Sequence, residues 1–209
     1  MRVDLYATIH KAQRFHMFDL ANAIGCADLA SDALAATLDD RVRLMIEHLR
    51  DHARNEELYI HPLFDQVCSG ADSLRHGHEE LDADLQEIEH ALREGQRQDL
   101  YAAYTRFLGK YLLHLNEEEQ AQKQVLWQCY DDHVLNAVLD RFKGERPPEK
   151  AAADFEFILP ALSIPELAKL FRGMNHAVPP QVFDRACDQA RRLLGATKWQ
   201  QLASAIAAV

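Results

Sequence analysis

The chain has 209 residues, 48% hydrophobic and 27% charged, which is globular composition with room for one large domain or one and a half. That argues against fibrous and intrinsically disordered classes. A net charge of −10 and a pI near 5.5 argue against a nucleic-acid surface, which needs clustered Lys and Arg.

Only eight Gly and seven Pro punctuate the chain, so long helices are expected in place of a turn-rich β fold. Four helical stretches come first, separated by weak turn signals at Gly25–Asp28, Ser69–Ser73 and Gly95–Asp99. The first covers about Asp4 to Ala23. The second runs from Asp39, read as its N-cap, to about Val67, with a bend at His61-Pro62. The third spans about Ser73 to Arg93 and the fourth about Asp99 to Trp127, with a short fifth from Asp131 to Phe142. Short connections between long amphipathic helices predict antiparallel neighbours, hence an all-α, up-down-up-down four-helix bundle over residues 1–145. GERPPEK at Gly144–Lys150 reads as a linker into a C-terminal helical extension, 146–209. There Ser163-Ile-Pro-Glu166 is a capping box, and Pro180 can open a helix that Gly195 closes. The extension is small for a core of its own, so packing on the bundle or on a second copy, as a homodimer through these helices, is the expectation.

No apolar run approaches the roughly 20 residues needed to span a bilayer, and MRVDLYATIHKAQRF lacks the uncharged core of a signal peptide. A cytoplasmic protein without membrane or nucleic-acid partners is expected. Cys26, Cys68, Cys129 and Cys187 lie far apart with no CxxC, the pattern of buried or idle thiols.

Histidine is the unusual residue, with 11 copies, ten of them before Pro147. A His followed four residues later by Glu puts two metal-capable groups on one helix face, and this occurs at His52/Glu56, His76/Glu80, His90/Glu94 and His114/Glu118. At about 100° per residue, helical phase separates them. The fourth-helix stripe of Leu100, Tyr104, Phe107, Leu108, Tyr111, Leu115, Val125, Leu126 and Cys129 contains His114 and Glu118. The second-helix stripe of Val42, Met45, Leu49, Ile60 and Leu63 contains Glu56, with His52 toward one edge, while His48 and Glu57 drift outward. His78 lies in the third stripe with Leu74, Leu81, Leu85, Ile88 and Leu92, and Asp82 sits at its margin. His76/Glu80 and His90/Glu94 project elsewhere. In the first helix His10 shares a face with Val3, Tyr6, Met17, Ala21 and Ile24, and His16 points away.

Six residues face inward: His10, His52, Glu56, His78, His114 and Glu118. An ionised Glu removed from water must be paired, protonated or coordinated. Salt bridges of Glu56 and Glu118 with Arg14 or Arg41 are the alternative to a metal. Four imidazoles and two carboxylates suit iron, with zinc or manganese as alternatives, and two metals bridged by the carboxylates fit the set. Tyr6, Tyr59 and Tyr111 read as core aromatics that could also line the pocket. His61-Pro62 reads as a bend and not as a ligand position.

IHKAQRFHMFDL in the first helix, His52-ARN-Glu56-Glu57-LYIHPLF in the second, the lone His78 of HEELDADL and His114-LNE-Glu118-Glu119 together resemble the hemerythrin-like, or HHE cation-binding, family over about residues 1–143. The resemblance implies a four-helix bundle with a non-haem di-iron centre on those six residues. Leu74 and Asp82 flank His78, and Glu118 follows His114 by four. The ligand set is therefore similar to that of six-ligand bacterial members linked to oxygen, nitric oxide or iron-stress roles, more than to that of dedicated oxygen carriers. Binding or sensing of O2 or NO is the implied role. A di-iron oxidoreductase or NO reductase, or a helical interaction module with a structural metal, are the other readings. Ferritin-like bundles need two inward Glu-x2-His motifs, and the single one here, Glu87/His90, faces away.

Overall fold

A computed structural model describes residues 2–27, 32–67 and 71–207. The fold is all-helical, with no strand among the described residues. Its helices are α1 (Ala7–Cys26), α2 (Asp32–Tyr59), α3 (His61–Val67), α4 (Asp72–Arg93), α5 (Leu100–Ala121), α6 (Trp127–Cys129), α7 (Asp132–Glu145), α8 (Pro148–Ile158), α9 (Ile164–Ala177) and α10 (Pro180–Ala207). No described helix is long and apolar enough to cross a membrane. The chain forms two compact units, Met1–Ala7 with Arg14–Glu145, and Thr8–Gln13 with Arg146–Val209.

In the first unit each boundary has a local cause. The Asp4 carboxylate accepts from the backbone N–H groups of Tyr6 and Ala7, at 3.0 and 2.9 Å, and so satisfies donors that the start of α1 leaves open. Pro62 has no N–H to give back to the preceding turn, and the helical run of α2 breaks at Ile60 before α3 begins. Gly95 ends the α4 segment with a φ of 69°, a left-handed conformation that suits glycine. α5 passes into one π-helical turn, Gln122–Leu126, before α6.

These helices bury the apolar stripes read from their periodicity. α2 packs on α4 and α7, α4 on α5, and α3 on the π turn. Met17, Leu20 and Ile24 of α1, Val42, Ile46 and Leu49 of α2, Leu81, Leu85, Ile88 and Leu92 of α4, and Tyr104, Phe107 and Leu115 of α5 are all buried. A further cluster joins Tyr6, Leu63, Phe64, Leu74, Leu126 and Leu135.

Several boundaries differ from the sequence reading. Asp39 is not an N-cap: α2 already runs from Asp32, and the Asp39 carboxylate, nearly buried inside it, takes both Nε and Nη2 of Arg97. Gly25 lies within α1, where an added Cβ would meet the Tyr101 ring at 2.9 Å. Cys129, placed in the inward stripe by regular phase, is exposed, and Val125 is only half-buried. The π turn is the reason, because it inserts residues that regular phasing does not count. Cys26 is exposed and Cys187 half-buried, so neither is a buried thiol, while Cys68 and Ser69 lie outside the described residues. Pro148, read as part of a linker, opens α8.

The second unit has its own core of Leu159, Leu162, Leu167, Phe171, Ala190 and Leu202. Ser163 and Glu166 form the expected capping box at the start of α9. Gly195, with a φ of 72°, interrupts α10 where the sequence places a helix end.

Candidate metal centre

The structure brings the inward-phased residues of α2, α4 and α5 into one buried cluster. His52 and Glu56 stand one turn apart on α2, with His52 Nε2 2.9 Å from a Glu56 oxygen. His114 and Glu118 repeat the arrangement on α5, at 3.0 Å. His78 enters from α4 between the two carboxylates, its Nε2 3.2 Å from Glu56 and 3.2 Å from Glu118. Glu56 and Glu118 are 2% and 0% exposed, which for carboxylates demands compensation.

His10 is fully buried in the first turn of the continuous helix α1. One donor atom each from His10, His52, Glu56 and Glu118 lie within 4.8 Å of one another, and so do one each from His61, His78 and Glu118. Glu118 belongs to both groups. A buried His/Glu set of this kind could hold a metal ion. His114 belongs to neither group as such but touches Glu118, and its ring lies edge-on to His78 with centroids 4.8 Å apart.

The arginines proposed as salt-bridge partners have other carboxylates. Arg14 donates to Glu119 at 2.7 Å and Arg41 to Asp19 at 2.7 Å. Imidazoles therefore face the two buried glutamates. Burial opposes a charge on His78, but its hydrogen bonds to Glu118 and Glu56, and their charge, push its pKa up to about 10. One proton thus balances part of the carboxylate charge in the metal-free protein. Burial, followed by the charge of His78, lowers the pKa of His61. Burial and then the charges of Glu56 and Glu118 hold the Tyr6 and Tyr111 phenols well above their ordinary pKa, so both stay protonated. Tyr59 is elsewhere: its hydroxyl donates to Glu145 at 2.9 Å.

A cavity of about 30 Å³ reaches the cluster, lined by His52, Glu56, His78 and His114 together with Leu49, Leu81, Leu85 and Tyr111. That is the space of about one water molecule. Arg50 and Asp82 stand at the same cavity, held to each other at 2.6 Å. Asp82 lies in neither ligand group, as its marginal phase suggests. The discarded residues stay outside the cluster: His76, Glu80 and His90 are exposed, and His16 is half-buried against Phe15.

Three features escape helical phase. Glu57 is half-exposed, as its outward drift predicts, yet its carboxylate reaches the Nδ1 of His78 at 3.1 Å. Such a bond fixes the tautomer and tilt of a ligating imidazole. Gly77 carries no side chain to phase, but a Cβ there would stand 2.5 Å from His114 Nδ1, so its bareness makes room for that ring. His61, read as a bend marker, is fully buried and stacks on His78 at 5.2 Å. Its signal was the bend itself, which changes the phase of every residue after it.

Comparison of the chain with protein-family models, with curated proteins and with solved structures finds no match, so the reading of this centre rests on its own residues.

Proposed function

We propose that this protein is a non-haem di-iron protein that binds or senses O2 or NO, its helices α1, α2, α4 and α5 arranged as the up-down-up-down bundle of the hemerythrin-like proteins it resembles. One observation carries the reading: Glu118, a fully buried carboxylate, is common to two groups of potential ligand atoms. A shared carboxylate between two sets of imidazoles is suited to holding a pair of like-charged metal ions together. Borderline nitrogen donors mixed with hard oxygens suit iron, while an all-oxygen or all-thiolate set would not.

In this reading His10, His52 and Glu56 would hold one ion, His78 and His114 the other, and Glu118 would serve both. Iron, when bound, supplies reversible coordination of a diatomic molecule and a one-electron change of charge. The chain does the rest. Leu49, Leu81 and Leu85 line the cavity with apolar surface and restrict water. Tyr111, protonated and beside the same cavity, is placed to donate a hydrogen bond to a small polar guest. Glu57 steadies His78 from the opposite side of the ring.

Anaerobic loading of purified protein with Fe(II), followed by metal analysis, should return about two iron atoms per chain. Subsequent air or NO should raise visible charge-transfer absorption. A His52→Ala, His114→Ala double variant should lose both. Absence of iron in the wild type, or iron retained by the double variant, would overturn the proposal.

A further inference from the structure

We propose that His61 is a seventh protein ligand of this centre, giving the ion held by His78 and His114 a third imidazole. The proposal rests on the metal-centre reading above and gives His61, a member of the second group of donor atoms but not among the six residues assigned to the ions, a ligand's role.

His61 is fully buried, and neither of its ring nitrogens has a hydrogen-bond partner among the described residues. A buried imidazole whose nitrogens have no hydrogen-bond partner is costly. If packing alone mattered, a fully buried position of this kind would favour an apolar side chain over histidine. Yet one of its nitrogens lies within 4.8 Å of donor atoms on both His78 and Glu118. Its ring is stacked on that of His78, with centroids 5.2 Å apart and planes 17° from parallel. Two imidazoles face to face beside one carboxylate can direct nitrogens at a common ion.

The local backbone explains how His61 arrives there. In an unbroken α2 it would stand five residues after Glu56, about 140° around the axis and off the inward stripe. Pro62 stops that helix at Ile60, and α3 begins a new helical segment with His61 as its first residue. The bend is thereby a means of delivering a ligand from the second helical segment.

Apo-protein titrated anaerobically with Co(II) provides the test. Wild type should take up two ions and, in the loaded state, show five hyperfine-shifted exchangeable imidazole N–H resonances, one for each of His10, His52, His61, His78 and His114. His61→Phe keeps the ring volume without a donor nitrogen. It should retain one ion, weaken the second by about tenfold or more, and lose one resonance. Two ions bound by His61→Phe with wild-type affinity, or only four resonances in the wild type, would overturn the role of His61 and leave the metal centre standing. A wild-type protein that takes up no Co(II) would overturn the centre itself. Should His61→Phe fail to fold by circular dichroism, the resonance count of the wild type decides alone.

Discussion

At the scale of single residues, the centre depends on side chains that are short, absent or turned back on themselves. Gly77 is the sharpest case. Alanine is the better helix former by about 1 kcal/mol, so Gly77→Ala in an ordinary helix position would stabilise. Here the new methyl would press on an imidazole that Glu118 already holds. The variant should therefore be less stable than wild type and bind metal more weakly; thermal unfolding and a metal titration on the same sample check both. A more stable variant with unchanged uptake would show that His114 yields freely. Glu57 acts from outside the cluster, through the far nitrogen of His78. Glu57→Ala removes only that tether, and metal affinity should fall about 10- to 100-fold while far-ultraviolet circular dichroism stays unchanged.

At the scale of elements, regular helices were legible and irregular ones were not. Helical phase alone selects His52, Glu56, His78, His114 and Glu118, because α2, α4 and α5 are unbroken where those residues sit, and a fixed angle per residue then holds. It loses His61 just beyond a proline break and misplaces Cys129 just beyond a π turn. Pairings between elements were less legible still: nothing in Asp39 and Arg97 announces that they meet, and an aspartate before an apolar run reads as a cap unless its partner is known. The capping box of α9 shows the opposite case, a local motif that formed as written. Ser163→Ala should cost about 1 kcal/mol of stability, measured by denaturant unfolding. Glu166 also accepts from Lys11 at 2.5 Å. Burial raises its pKa, but the bonds from Lys11 and Ser163 outweigh that and lower it to about 2, below the ordinary 4.5. The stabilisation is therefore fully present above about pH 4.5 and is lost as pH falls through about 2. Carbon-detected titration of the Glu166 carboxyl should find its midpoint near 2, and in Lys11→Met the midpoint should move up toward the ordinary value.

At the scale of the whole molecule, an acidic chain with ten of its 11 histidines before Pro147 is suited to gathering cations and placing them among nitrogen ligands. Metal that binds only the folded protein must stabilise it by mass action, about 2.7 kcal/mol when free metal is a hundred times its dissociation constant. Calorimetry of metal-free and Fe(II)-loaded protein should accordingly show a higher unfolding temperature after loading, and a chelator should reverse the rise. The π turn at Gln122–Leu126 has a consequence for the length of the chain itself. Gln122, one helical turn after Glu118, is fully buried and binds the start of α1 through Leu5 N–H and Asp4. The wider turn lets the chain meet that constraint and still seat Leu126 in the core. In effect the segment carries one residue to spare. Deleting Lys123 or Gln124 should restore an ordinary helix and leave everything beyond in its present phase, because the wide turn already absorbs the extra residue's rotation of about 100°. Leu126 and Tyr130, whose hydroxyl donates to Leu63 O, would keep their seats, so this shortening should be far better tolerated than a one-residue deletion within α5, a difference that thermal unfolding of the two variants reads directly.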